Sequence, residues 1–450
     1  MLRTIRILIA LLALSICVRL FTAYLVGETP LVGDEWDYYR RAKRALALKP
    51  GDGFRAPLFE WVLAGLMGVF GRSSDTLRIA IAGLSSLVVV PVFLAGRALV
   101  NVRTGMIAGA LASVYPPLVA YSHYLWTEAL YTAGAAATLV LTTYVLTRRD
   151  VWASVWAGVC WAALMLTREV ALAAFATVLI WAAWQRGRPR WRRNLAIVAF
   201  AAAIPVGLWS VVLNAERKEG EAIALIARTS YLNLYIGNGP VAAAKASKPK
   251  LSARRHYESL PGPAARREAL ARPLVLQSIR EAGPNWLPRK IAQMVPKFFR
   301  PGGFPVRRLL IAEDKPRSPW AYRGQKRRPL QPELARWLAS VYVAAVAAVL
   351  VVGTAGWSAI GALHAGPLYW AFTTFALGHL WPTVVAFATT RFRLPIMPMF
   401  LLGAAYLATS PRTVWSQLSN RGRAAFLASG ALMAWLVLSQ YDRALTAAWQ

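Results

Sequence analysis

The chain alternates long apolar runs with short charged connections. Runs close to the twenty or so residues that a helix needs to cross a bilayer fall at roughly 5–26, 79–96, 105–120, 128–146, 151–167, 170–184, 195–213, 336–354, 367–387, 394–409 and 422–440. One further run, "PLFEWVLAGLMGVFG" (57–71), is 15 residues long, contains Glu60 and is closed by Gly71-Arg72. It is short for a span, so the pattern predicts a helix lying in or dipping into the interface. The first run follows Arg3 and Arg6 as in a signal peptide, but no small-x-small cleavage pattern comes after it. It is read as an uncleaved first span. No internal repeat is visible. The pattern predicts an all-α polytopic membrane protein with about eleven transmembrane helices.

Charge supplies the orientation. With 57–71 left out of the count, one side receives Met1–Arg6, "RALVNVR" (97–103), "TRRD" (147–150), "QRGRPRWRRN" (185–194) and "SPRTVWSQLSNRGR" (410–423). These are the arginine-rich short loops, so that side is the cytoplasm. The other side receives "GDEWDYY" (33–39), "YSHYLWTE" (121–128), "LTRE" (166–169), the long stretch 214–335 and "TTRFR" (389–393). Taken to Arg336, the long stretch carries 25 Lys/Arg and 9 Asp/Glu, a net +16. Long loops escape the positive-inside rule, and this one is too long for a plain connector. It is expected to be a small outer-face domain with a helix over 263–283, an amphipathic helix over 285–299 and a Pro/Arg-rich loop over 300–332. The organisation is therefore a transmembrane module, 1–213, with its first outer loop at 27–78, then a basic outer domain, 214–335, and C-terminal spans, 336–450.

Composition then narrows the function. Hydrophobic residues make up 57% of the 450 and charged residues 16%, while 52 Lys+Arg against 20 Asp+Glu give +32. Without zinc-finger spacing or an RNA-binding signature, and with the basic residues lying between spans, this charge points to membrane lipids and lipid phosphates rather than nucleic acid. Cys17 and Cys160 lie in apolar runs and form no disulfide framework.

The outward side also collects the groups that could do chemistry. Asp34 and Glu35 follow the first span. They suit a general base at a membrane-edge site, and equally helix N-capping with ion pairs to Arg40 or Arg41. Arg55, before the interfacial helix, could hold a phosphate in a two-pronged pair or simply snorkel. His123 and Glu128 could orient an acceptor or hold a divalent ion, or be an interfacial His among aromatics; Tyr38 is a further acceptor or metal candidate. Arg168, Arg391 and Arg393 end spans on the outer side, against the positive-inside trend, which suggests an anion there. Arg19, inside the first span, is either part of that pattern or snorkels outward. Carboxylates and arginines gathered at one membrane pocket suit removal of a phosphate leaving group, with a carboxylate taking a proton.

Several segments resemble the GT-C membrane glycosyltransferases, specifically the family 39 group of protein O-mannosyltransferases and lipid A aminoarabinose transferases. These are "DEWDYYRRAKRAL", "FRAPLFEWVLAGLMGVFG", "LWTEALY", "GVCWAALMLTREVALAAF", "NLYIGNGP" with "PNWLPRKIAQMVPKFF", and "RFRLPIMPMF". Ala56 departs from the family's basic-Pro-Pro-Leu pattern, and Glu60 is unusual there. The resemblance implies a polyprenyl-phosphate sugar donor and an inverting transfer to an acceptor hydroxyl on the outer face of the cytoplasmic membrane. It implies Asp34 as the base, Glu35 as its support or an acceptor contact, and Arg55, Arg168, Arg391 and Arg393 as donor-phosphate ligands. The acceptor could be lipid, glycan or protein, and a divalent cation is left open. A lipid-linked oligosaccharide flippase, or a surface-polysaccharide ligase or polymerase, would also use an arginine-lined cavity.

Overall fold

Each apolar run forms helix in the computed structural model, which describes residues 2–27, 31, 33–49, 51–148, 150–185, 189–240, 249–302 and 332–449. The first half contains α1 (Leu2–Val26), α2 (Asp34–Leu46), α3 (Leu58–Phe70), α4 (Ser74–Ser85), α5 (Val89–Leu99), α6 (Val102–Val114), α7 (Pro116–Ser122), α8 (Thr127–Thr147), α9 (Val151–Thr167), α10 (Val170–Trp184) and α11 (Pro189–Asn214). Next come four shorter helices, α12 (Ser230–Asn238), α13 (Pro249–Glu258), α14 (Ala264–Ala282) and α15 (Trp286–Phe299). The last part is α16 (Pro332–Leu363), α17 (Pro367–Val385), a 3-10 stretch (Thr390–Ile396), α18 (Met397–Thr409), α19 (Pro411–Gln417), α20 (Asn420–Leu438) and α21 (Tyr441–Trp449). Among the described residues there is no strand.

Among the described residues, seven helical segments are long and apolar enough to cross a membrane: Leu2–Val26, Ser74–Leu99, Thr127–Thr147, Trp191–Asn214, Glu333–Leu363, Thr390–Thr409 and Asn420–Leu438. Shorter apolar helices account for 102–114, 151–167 and 170–184, and also for 58–70, which the sequence reading kept out of the spans. The chain is a multi-pass membrane protein.

Close helix contact depends on glycine. A Cβ on Gly403 of α18 would stand 2.1 Å from Gly353 O of α16, and one on Gly356 would stand 2.0 Å from Gly403 O. Small residues on one stripe let two backbones touch where lipid offers no hydrophobic drive for association.

Between the spans, α12, α13 and α14 build a small core of their own from Leu232, Tyr235, Tyr257, Ala271 and Val275. Buried Glu268 accepts from Tyr231 N (2.7 Å), Leu232 N (3.2 Å) and Tyr257 Oη (2.7 Å), which ties α14 to the other two helices. The predicted helices at 263–283 and 285–299 match α14 and α15. Phe298 and Phe299 of α15 join the main core. Lys290 donates to Gly237 O and, at 3.4 Å, to Ala386 O, joining this unit to the end of α17. The predicted Pro/Arg-rich loop lies almost wholly outside the described residues.

Candidate active site

The site begins at Gly33. Its φ of +55° favours glycine and turns the chain into α2 with Asp34 as the first helical residue. Asp34, Glu35 and Asp37 occupy the first turn, where the helix dipole favours negative charge. No side chain caps this N-terminus. The helical period then separates the acids. Glu35, Tyr38, Arg41 and Ala42 form the buried face, and Asp34 and Asp37 lie beside it.

Asp34 meets two arginines from distant parts of the chain. Its Oδ1 accepts from Arg55 Nη2 at 2.7 Å, and its Oδ2 accepts from Arg391 Nη1 at 2.7 Å. Arg55 also donates to Asp37 Oδ2 (2.9 Å) and lies over the Tyr38 ring. Arg391 reaches Glu128 Oε1 at 3.5 Å, and Arg168 pairs with the same oxygen at 2.8 Å. The result is an alternating string, Asp37–Arg55–Asp34–Arg391–Glu128–Arg168, three carboxylates against three guanidinium groups. Alternation lets each carboxylate compensate its neighbours in a place where unpaired charge is costly.

Burial alone would raise the Asp34 carboxyl, but the charges of Arg55 and Arg391, with their hydrogen bonds, outweigh it and hold Asp34 well below the usual carboxylate range. Asp37 is lowered in the same way by Arg55 and Arg41 against its own burial. Both acids are ionised at neutral pH.

The string lies along a cavity of about 540 Å³ lined by Asp34, Tyr38, Arg55, Ala56, Glu128, Arg168 and Arg391. Thr127, Thr167, Glu169, Asn233 and His379 add polar groups, while Val170, Leu172, Ala173, Trp381 and Phe387 supply apolar wall. Burial pushes the Tyr38 phenol up, so it stays a hydroxyl donor.

Four sequence candidates lie elsewhere. Glu35 points the other way. It is fully buried, binds Arg78 Nε (3.0 Å) and Nη2 (3.2 Å), and accepts from Leu125 N (3.0 Å). It ties α2 to α4 and to the α7–α8 turn, behind the cavity rather than in it. Arg393 donates to Phe298 O and Arg300 O, each at 3.0 Å, and does not line the cavity. A 3-10 helix has three residues per turn, so Arg391 and Arg393, two positions apart, point to different sides. His123 is buried outside the cavity, lowered to about 4 by burial and by the charges of Arg19 and Arg78. Arg19 does not snorkel. It is 1% exposed and binds Ser15, Ser85 and the Ser113 carbonyl.

Sequence reasoning missed Asp37, Arg78 and His379. The spacing of Asp37 to Arg41 was a usable signal, since i, i+4 places both on one helix face. Pairing over the 43 residues from Glu35 to Arg78 leaves no local signature. Among the described residues, no three His, Cys, Asp or Glu side chains converge as a metal site.

Residues 54–210 match the model of the dolichyl-phosphate-mannose-protein mannosyltransferase family. That segment includes Arg55, Glu128 and Arg168 but neither Asp34 nor Arg391. No curated protein matches the chain by sequence. Among solved structures, the Archaeoglobus fulgidus oligosaccharyltransferase in complex with Zn and sulfate superposes with a TM-score of 0.50 at 16% identity, over 97% of this chain and 53% of that one. The same enzyme, AglB, in complex with an inhibitory peptide and a dolichol-phosphate gives 0.50 at 16% identity, over 99% and 55%. ArnT from Cupriavidus metallidurans bound to undecaprenyl phosphate gives 0.41 at 17% identity, over 92% and 81%. The chain spans just over half the length of the archaeal enzyme. With its described residues helical throughout its folded elements and its 54–210 segment matching that family model, the chain has the fold of the GT-C membrane glycosyltransferases.

Proposed function

We propose that the protein is an inverting glycosyltransferase that moves a hexosyl or pentosyl group from a polyprenyl-phosphate donor to an acceptor hydroxyl, at the outer face of the cytoplasmic membrane. The observation that carries this reading is the bridging of Asp34 by Arg55 and Arg391 at the wall of a part-apolar cavity. The family match over 54–210 supports it, as does the fold shared with an oligosaccharyltransferase described with a dolichol-phosphate. The arginine-rich short loops favour a cytoplasmic N-terminus, which puts the cavity on the outer side.

In the resting site Asp34 is a poor base, because two guanidinium groups stabilise its charge. A donor phosphate entering the cavity competes for Arg391, Arg168 and Arg55. As they turn toward its oxygens, Asp34 loses compensation and gains a negative neighbour, so its proton affinity rises. The donor thus primes the base. Asp34 then takes the proton of the acceptor hydroxyl, and that oxygen attacks the anomeric carbon from the side opposite the phosphate. The bond from the anomeric carbon to the phosphate oxygen breaks, and the phosphate leaves with the electron pair. The charge growing on it is met by guanidinium groups already in place. One displacement inverts the anomeric centre. Glu128 keeps Arg391 and Arg168 at the cavity, and the Tyr38 hydroxyl is placed to contact the acceptor, which is a lipid, glycan or protein hydroxyl.

Asp37 and Glu35 are positioning residues in this scheme. Asp37 orients Arg55, and Glu35 fixes the turn of α2 that carries Asp34. A divalent cation does not fit the donor set as it stands. The Asp34 and Glu128 carboxylates are each engaged by two arginines, and Asp34, Glu128 and His123 do not converge. No step is therefore routed through a metal, although the archaeal enzyme has been described with Zn.

The test is turnover of purified protein in lipid nanodiscs with a polyprenyl-phosphate sugar and a mixture of hydroxyl acceptors. Release of polyprenyl phosphate, with inversion at the anomeric carbon by NMR, is expected. Movement of the donor across the bilayer without its cleavage would refute the reading.

A further inference from the structure

We infer that His379 is a sugar-recognition residue, its Nδ1 accepting a hydrogen bond from a hydroxyl of the donor's sugar; the inference rests on the glycosyl transfer proposed above. His379 is 1% exposed and lines the cavity. Its Nε2 stands 2.8 Å from Phe392 O. A carbonyl only accepts, so Nε2 carries the proton and donates, and Nδ1 of the neutral ring is left as a lone-pair acceptor. Among the described residues Nδ1 has no hydrogen-bond partner. The ring is held between Phe375, stacked at 5.8 Å, and Tyr131, at 5.9 Å.

Tyr131 Oη also lacks a partner among the described residues, and the Arg168 guanidinium lies 5.7 Å from the Tyr131 ring centroid. The two rings that carry this bare acceptor and this phenolic hydroxyl are neighbours, 5.9 Å between centroids, next to a proposed phosphate ligand. Two unsatisfied buried groups are costly unless a ligand completes them. The donor has three chemical parts. Its hydrocarbon tail offers no hydrogen bonds, and its phosphodiester has no hydrogen to give to Nδ1. A sugar hydroxyl donates to Nδ1 and accepts from Tyr131 Oη, so the sugar alone is complementary to both groups.

The backbone around His379 is built for fixed placement. A Cβ on the preceding Gly378 would stand 1.9 Å from Thr177 Oγ1 and 2.7 Å from Ala174 Cα, so α17 is pressed against α10 at this level. Pro382, one turn on, has no N–H for the Gly378 carbonyl, which opens the helix ladder beside the histidine. The Nε2 bond to Phe392 O also ties His379 to the 3-10 stretch that presents Arg391. The ring therefore has one edge for the phosphate-binding loop and one for the sugar.

Two substitutions separate these edges. Gln places its amide where Nε2 lies, keeping the tether and losing the Nδ1 acceptor; Asn does the reverse. Binding is measured without acceptor, in nanodiscs, for a polyprenyl-phosphate sugar and for bare polyprenyl phosphate. His379→Gln is expected to weaken the sugar-bearing donor roughly tenfold while leaving bare polyprenyl phosphate unchanged. Tyr131→Phe, which conserves volume, is expected to weaken the sugar-bearing donor selectively as well. If His379→Gln binds both ligands as wild type does while His379→Asn weakens both alike, the residue is only a tether and the inference is overturned. If wild type releases no polyprenyl phosphate from any donor, the glycosyl-transfer reading falls and this inference with it. Wild-type turnover with normal donor binding by His379→Gln sinks the inference alone.

Discussion

Removing the Glu35 carboxylate should loosen the scaffold behind Asp34, the proposed base, rather than the proposed chemistry in front of it. Glu35→Ala strips Arg78 of two contacts (3.0 and 3.2 Å) and leaves Leu125 N without its acceptor. Arg78 keeps Asp75 at 2.9 Å, so its charge is not wholly abandoned. Breaking a buried pair by deleting one partner costs about 3–5 kcal/mol, and an orphaned backbone N–H alone costs about 1–3 kcal/mol. With Asp75 retained, about 3–4 kcal/mol is expected for Glu35→Ala. Removing both charges with Glu35→Gln/Arg78→Met should cost less than the sum of the singles, with a coupling of about 1–3 kcal/mol. Such proteins often unfold irreversibly, so the readout is loss of monodisperse protein after heating in detergent, at several temperatures, alongside turnover. Full thermal resistance in Glu35→Ala with turnover abolished would refute the positioning role and return Glu35 to the acceptor site.

Other consequences follow from the same geometry. Glu60, in α3, is pushed up to about 7 by burial, with Arg41 opposing. Arg41 is already engaged by Asp37 and Asp52, which leaves Glu60 3.8 Å from it. A raised carboxyl means that the folded state binds more protons than the unfolded one, so stability falls as pH rises from about 4.5 toward 7. Glu60→Gln should therefore raise the melting temperature at pH 8 and leave it nearly unchanged at pH 4.5; equal gains at both would contradict this. Gly403→Leu should disrupt the α16–α18 contact and cause aggregation on extraction, whereas Gly65→Leu, where nothing lies within 4 Å of the added carbon, should be tolerated. Arg391→Lys should reduce kcat at least tenfold, because one ammonium cannot serve Asp34 and Glu128 as a forked guanidinium does; near wild-type kcat would count against the bridge.

The fold was legible because lipid imposes a simple rule: backbone polarity satisfied within each helix, and apolar side chains outward. Run length was therefore enough to find the apolar helices, seven of which, among the described residues, are long and apolar enough to cross a membrane. The site was legible in part. Asp34, Arg55, Glu128, Arg168 and Arg391 do meet at one cavity, and each stood out as a charge at the edge of an apolar run. Direction was not legible. Glu35 follows Asp34 in sequence yet points to the opposite side, and Arg393 turns away from Arg391 because a 3-10 turn intervenes. His379 was passed over because a histidine inside an apolar run carries no local sign of what its ring faces. Arg19 was read either as part of the outward arginine pattern or as snorkelling, and it does neither, since its acceptors Ser85 and Ser113 O come from helices far along the chain.

The most direct measurement compares Asp34→Asn with wild type for donor binding and for release of polyprenyl phosphate. Neutralising Asp34 frees Arg55 and Arg391 from a carboxylate while keeping its shape. Release is expected to fall at least about a thousandfold, while the donor binds as tightly as to wild type or several-fold more tightly. Release within a few-fold of wild type, or donor binding lost together with release, would contradict a base bridged by the arginines that receive the phosphate.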